Sequence, residues 1–212
     1  MPSEMDADLK RMPTSKNSRQ RISDRFRRFF ASNDDPKIAE AVETLKQVPM
    51  LRGLSRGALR VLANAMHQRD YRRDEFLYYE DDPGLGMYVV QRGRVRLLVE
   101  EKDGPIHELR QIGENEVFGK LSLLGDFRRV ESAQAMMDTR VLGFFRPDLK
   151  TVMKRHPAVG AAFLEAISRN LAAMETELVR VLVERDGKVE AMRLVDSATA
   201  RVDHLGADVI YP

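Results

Sequence analysis

The sequence predicts a mainly β fold with flanking helices, in which an antiparallel barrel or roll lies between N-terminal helices and one long C-terminal helix. Three observations carry that prediction. Short apolar runs at about 68–80, 86–100, 106–112, 130–137 and 139–146 are separated by turn residues, the pattern of many short strands rather than of strands alternating with helices. Asp103-Gly104 between two of these runs signals a tight hairpin. From Arg146 onward the apolar residues recur at helical spacing, with Pro147 and Pro157 each marking a start.

Taken in order, residues 1–20 are polar and aperiodic and read as a disordered tail. Residues 21–47 read as a helical extension. Its first part, RISDRFRRFFA, puts Ile22, Phe26, Phe29 and Phe30 on one face and arginines on the other. Ser32, Asn33 and Asp34 close that helix and offer caps to the next, at about 36–47, which carries Pro36 in its first turn and buries Ile38, Ala41, Val42 and Leu45. Residues 48–184 form the main domain. It opens with a short helical element after Pro49 and a helix over Arg56–Met66, for which Ser55 is the expected N-cap. The strand-like runs follow.

The last long helix, at about 157–184, carries Leu164, Ile167, Leu171, Met174, Leu178 and Val181 at intervals of 3-4-3-4-3, the seam of a coiled coil. Two readings are open: a homodimer seam, which is preferred, or a helix lying on its own domain's core. Asp186-Gly187 stops the helix and leaves residues 185–212 as a tail, with one weak amphipathic segment around Val189–Val202.

Composition narrows the function classes. With 212 residues, 43% apolar and 32% charged, the chain suits one core domain with extensions. It has no cysteine, which excludes disulfides, thiolate catalysis and sulfur-ligated metals. No stretch approaches the ~20 apolar residues of a membrane span, and the N-terminus lacks the apolar core of a signal peptide, so a cytoplasmic protein is expected. A formal net charge of +2 does not imply nucleic acid. Eight Lys or Arg against Asp24 alone lie between Leu9 and Ala31, so the rest is near neutral or slightly acidic. For the basic segment 19–30 the favoured reading is a helix packed on its own domain, with contact to an anionic membrane surface or a partner helix as the functional alternatives.

The most informative stretch is residues 113–135, GENEVFGKLSLLGDFRRVESAQA. A glycine-flanked turn leads into a short helix, Lys120–Leu124, and then into basic residues and a strand. Gly119 lets backbone approach a ligand closely, the helix aims its positive end at an anion, and Arg129 offers a planar fork to phosphate oxygens. The segment resembles the phosphate-binding cassette of cyclic-nucleotide-binding domains, roughly F-G-E-L-A-L, variable residues, then R-[ST/A]-A. Phe118, Gly119, Leu121, Leu123 and Arg129 stand where that pattern wants them. The run DDPGLGMYVVQRGRVRLL resembles the family's strand-turn-strand signature, with Gly84 and Gly86 at turns, Tyr88 and Val90 inward and Gly93 breaking the strand. Gly113-Glu114-Asn115 matches the turn that leads into the cassette. The resemblance covers about residues 45–183.

That resemblance implies a jelly-roll-like β-roll and a ligand site at Phe118, Gly119, Lys120, Leu121, Ser122, Arg129 and Val130, with cAMP or cGMP as regulatory ligand and no other cofactor or metal. Two positions depart from it. Lys120 stands where the family has a ribose-binding glutamate and cannot accept a hydrogen bond, and Val130 cannot donate one. The lost acceptor costs about 1–3 kcal/mol, or about one to two decades of affinity. Three outcomes follow: weak binding of a cyclic nucleotide, binding of another small anion, or a scaffold that has kept the fold and lost the ligand.

A non-enzymatic regulatory module acting as a homodimer is therefore the leading expectation, with a ligand-free interaction protein as the alternative. A DNA-binding regulator is disfavoured unless a partner supplies the DNA reader, because only about 27 residues follow Arg185 and they include just Lys188, Arg193 and Arg201 as Lys or Arg. Gly53-Leu-Ser-Arg-Gly57 spells a nucleophile elbow without the strand and partners that motif needs. Gly113–Leu121 misses P-loop spacing and its Ser/Thr. The four histidines are far apart, and Asp81-Asp82 reads as part of a turn.

Overall fold

The computed structural model describes residues 35–101 and 104–205. The expected tail at 1–20, the helix at 21–31 and its phenylalanines, the caps at Ser32–Asp34, and Asp103 of the hairpin lie outside the described residues. The chain forms two compact units, Met1–Ala39 and Glu40–Pro212; of the first, the described part is the opening of helix α1 (Pro36–Gln47). Asp35 caps that helix through Lys37 N–H at 2.9 Å, and Ala41, Val42, Thr44 and Leu45 are buried.

A 3₁₀ turn (Pro49–Leu51) and helix α2 (Arg56–Ala65) come next. Ser55 is the N-cap of α2, its hydroxyl accepting from Ala58 N–H at 3.2 Å, so the serine of the elbow-like motif is a helix start. Eight strands follow: β1 (His67–Tyr71), β2 (Phe76–Tyr78), β3 (Gly86–Arg92), β4 (Val95–Glu100), β5 (Ile106–Ile112), β6 (Val117–Phe118), β7 (Ser132–Ala135) and β8 (Thr139–Phe145). They make two four-stranded antiparallel sheets, ordered β1-β8-β3-β6 and β2-β7-β4-β5.

Two of the expected strand runs each divide between the sheets. The run at 68–80 becomes β1 and β2, with Asp74 in the left-handed region (φ 65°) between them. The run at 86–100 becomes β3 and β4 around Gly93 (φ 94°), where a Cβ would sit 2.6 Å from the Thr139 hydroxyl. A left-handed corner lets one stretch of chain serve both layers, and that is how the roll closes. β4 and β5 pair antiparallel from Val95↔Ile112 to Glu100↔Ile106, so the hairpin expected at Asp103-Gly104 has its flanking strands in place.

Period-two alternation separates two apolar layers. Tyr78, Tyr88, Val90, Val95, Ile112, Phe118, Ala133 and Val141 fill the space between the sheets. On the other face of β3 and β8, Met87, Val89, Leu142 and Phe144 are buried, and Phe144 meets Phe163 edge-on at 5.3 Å.

Phe163 belongs to α5 (Pro157–Asp186), which follows α4 (Arg146–Arg155); both carry proline in the first turn, as expected. Gly187 (φ 82°) ends α5, and residues 188–205 form an 18-residue helix, α6 (Lys188–Leu205), where only a weak amphipathic segment was expected. Ala, Met, Leu, Glu, Lys and Arg there favour a helix even where few positions are buried. No helix among the described residues is long and apolar enough to cross a membrane.

Candidate functional site: the cavity behind the cassette

The cassette is a corner between β6 and β7. Asn115 (φ 66°) turns the chain after β5, with its N–H on the Val90 carbonyl at 2.8 Å. β6 then delivers Phe118, and Gly119 turns left-handed (φ 66°) into the one-turn helix α3 (Leu121–Leu124). The returning segment is zipped to the turn before β3. Gly84 N–H reaches Phe127 O at 3.0 Å, Arg129 N–H reaches Asp82 O at 2.9 Å, and Asp81 N–H reaches Arg129 O at 2.8 Å. Asp81 sits left-handed (φ 63°) and Asp82 accepts from Tyr79 N–H at 2.8 Å, so the acidic doublet shapes a turn. Gly84 is required here because a Cβ would lie 2.0 Å from the Ser122 hydroxyl.

All seven predicted ligand-site residues, Phe118, Gly119, Lys120, Leu121, Ser122, Arg129 and Val130, line one cavity of about 270 Å³. They differ in depth. Ser122 and Arg129 are buried, Leu121 lies at the rim, and Val130 is 64% exposed.

Arg129 is the centre of the site. Its side chain points into the roll and is only 4% exposed. Nη1 donates to Gly119 O at 3.2 Å and Nη2 to Gly86 O at 2.8 Å. The guanidinium carbon lies 4.0 Å from the centre of the Tyr78 ring and 5.6 Å from that of Tyr88, a stacked arrangement that suits a weakly hydrated planar cation. No carboxylate pairs with it at ion-pair distance among the described residues, and its buried Nε–H has no hydrogen-bond partner. Gly119 serves this arginine, since a Cβ there would lie 2.3 Å from Nη1. The close approach that this glycine permits is, in this structure, that of the guanidinium.

Lys120 reaches across to α5 and donates to Asn170 Oδ1 at 2.5 Å. Burial, and secondarily the charge of Arg110, holds its ammonium below the ordinary lysine range. Several residues of the site were missed in the sequence. Leu97, Arg110, Glu131 and Met174 share the cavity from β4, β5, the residue before β7 and α5. Tyr78 donates to Glu131 Oε1 at 3.0 Å, and burial raises the Glu131 carboxyl above the ordinary carboxylate range against the pull of that hydrogen bond. Burial also raises the Tyr78 phenol, with Glu131 adding to it. Arg146 braces the cassette from outside, donating to Gly84 O at 2.9 Å, Ser122 O at 3.1 Å and Gly125 O, and pairing with Asp126 at 2.5 Å. Leu97, Arg110, Met174 and Tyr78 had no signal in the chain because each comes from a distant segment, and Glu131, although inside the cassette stretch, gains its meaning only from its hydrogen bond to Tyr78.

The six residues expected at a dimer seam divide along α5. Ile167 is fully buried in its own protomer and Leu164 and Leu171 are half-buried, so the first half of the helix belongs to the domain core. Met174, Leu178 and Val181 are exposed, Leu178 at 56%. Among the described residues, no cluster of three or more histidine or acidic side chains is placed to hold a metal.

Residues 68–156 match the family model of the cyclic nucleotide-binding domain. The chain is similar to the cyclic AMP receptor protein of Thermus thermophilus, at 31% identity over 134 residues, which is 63% of this chain and 62% of that one. It is also similar to the cAMP-dependent protein kinase type II regulatory subunit of Drosophila melanogaster, at 28% identity over 156 residues, covering 74% of this chain and 40% of that one. The chain thus spans less than two thirds of the length of these curated relatives. Among solved structures, the N-terminal domain of a transcriptional regulator from Streptomyces coelicolor A3(2) superposes with a TM-score of 0.59 at 28% identity, over 64% of this chain and 94% of that one.

Proposed function

Because residues 68–156 belong to the cyclic nucleotide-binding domain family, we propose that this chain is a non-enzymatic regulatory module that takes a cyclic nucleotide, or another small anion, in the cavity behind its cassette. The observation that carries the proposal is Arg129: a buried guanidinium with no ion pair and an unpartnered Nε–H among the described residues, at the wall of a cavity of about 270 Å³. A buried donor on a cation is costly to leave unmade, and a phosphate oxygen would satisfy both the hydrogen bond and the charge.

The output would run through α5. Asn170 holds Lys120 and Met174 lines the cavity one turn further on, so a ligand that recruits the Lys120 ammonium removes a contact on the helix whose next turns expose Leu178 and Val181. A homodimer seam restricted to Met174, Leu178 and Val181 would relay that change.

A second reading has its own support. Both Nη groups of Arg129 are already engaged by Gly86 and Gly119 carbonyls, so the arginine also works as a brace, which is what a ligand-free interaction scaffold would retain.

Calorimetric titration with cAMP and cGMP, together with NMR of backbone amides 118–131, separates the two. The sensor reading expects saturable binding, amide shifts confined to the cassette, and a loss of about tenfold or more in Arg129→Lys, which keeps charge but not the fork. Absence of binding at millimolar nucleotide would leave the scaffold.

A further inference from the structure

The cavity described above is rich in donors. Arg110, Lys120, Arg128 and Arg129 face it and cannot accept a hydrogen bond. Among its lining residues the one carboxylate is Glu131, two positions after Arg129 in the chain. We infer that Glu131 is the acceptor that selects the ligand: it takes over the reading of a hydroxyl or amino donor that the lysine at position 120 cannot perform. The inference rests on the anion-binding reading proposed above.

Three observations support it. First, Glu131 is positioned. Tyr78, whose ring lies under the Arg129 guanidinium, donates its hydroxyl to Oε1 at 3.0 Å, so one buried tyrosine orients both the cation and the carboxylate. Oε2 accepts no hydrogen bond from the described residues and remains for a ligand. Second, burial alternates along the segment: Arg129 is buried, Val130 is exposed and Glu131 is half-buried, which turns the cation and the acceptor toward the same side. Only Val130 lies between them, so their Cα atoms are at most about 7 Å apart, within reach of one small molecule. Third, the arrangement is unfavourable without a use. Burial holds the Glu131 carboxyl above the ordinary carboxylate range even though the Tyr78 hydroxyl donates to it and the charges of Arg129 and Arg110 pull the other way, so its desolvation is only partly compensated.

The ligand class follows. It is a small anion that also carries a hydrogen-bond donor, either a sugar hydroxyl or an amino group on a base, and the two sources are separable. Matched probes that differ by that donor alone are cAMP against 2′-deoxy-cAMP for the hydroxyl, and cGMP against cIMP for the amino group. Each would be titrated into wild type, Glu131→Ala, the isosteric Glu131→Gln, and Tyr78→Phe.

Wild type is expected to prefer the donor-bearing member of one pair by about tenfold or more, the scale of a hydrogen bond to a charged acceptor. Glu131→Ala should bind the two members equally, with affinity for the donor-lacking member within about twofold of wild type. Glu131→Gln, which keeps the shape and the Tyr78 bond, should retain a reduced preference, and Tyr78→Phe should weaken the preference without abolishing it. Binding of nucleotides with no preference within either pair, or a preference that survives in Glu131→Ala, overturns this inference alone. Failure of every probe to bind wild type overturns it together with the sensor reading.

Discussion

Arg129, Glu131 and Lys120 line the cavity, and burial works against the charged form of two of them, Glu131 and Lys120. Burial raises the Glu131 carboxyl, so the folded state holds that proton more tightly than the unfolded chain does. The stability tied to this group is therefore full below the ordinary carboxylate range and is lost as pH rises through the raised folded value. Glu131→Gln, which never ionises, should be more stable than wild type at pH 7, with the difference vanishing by about pH 4. Urea unfolding at several pH values checks this, and a wild type that gains on the variant as pH rises would contradict the assignment. Of this set, Arg129 and Lys120 were visible in the sequence because a motif names their positions. Glu131 and Tyr78 were not, because their meaning is a hydrogen bond across 53 residues of chain.

Among the elements, the corner from β6 into α3 is the most tightly specified. Gly119 is left-handed (φ 66°), and a Cβ there meets a guanidinium nitrogen at 2.3 Å and Gly86 O at 3.4 Å. Gly119→Ala combines backbone strain of about 1–2 kcal/mol with displacement of Arg129 from its carbonyl seat. A loss of stability of at least that size, with a fall in the anion affinity proposed for the cavity, is the expected outcome; an unchanged denaturation midpoint would show that the corner is not held as described. The strand runs were legible as short apolar stretches between turn residues, yet their division into two sheets was not. Gly93 and Asp74 turn the chain from one layer to the other through left-handed conformations, and a hydropathy pattern contains no record of which layer comes next. α6 was underestimated for a related reason: helix propensity acts even where burial, the basis of the pattern, is slight.

Taken as a domain, the chain from Glu40 combines an inter-sheet core with a second layer under the helices, and α5 joins that layer to the cavity through Phe163, Asn170 and Met174. A continuous 3-4 apolar repeat along α5 thus serves two purposes, because Ile167 faces inward while Leu178 and Val181 remain uncovered in the protomer. Replacing both Leu178 and Val181 by glutamate is expected to convert a dimer into a monomer in sedimentation velocity, leaving the thermal transition of the domain nearly unchanged. A monomeric wild type would remove the seam from the account. Equal destabilisation of the fold would instead assign those residues to the domain's own core.

Local sequence was enough for most of the classes of element, for Ser55 as a cap and for the position of the cassette, since each depends on residues within a few positions of one another. Tertiary structure decided what those pieces do together. It turned Gly119 toward Arg129, drew Lys120 onto α5, set Glu131 beside the cation, and divided one apolar repeat between a core and a free surface. Such juxtapositions depend on which distant segments share the space between two sheets, and packing, unlike propensity, is not written in any short stretch of chain.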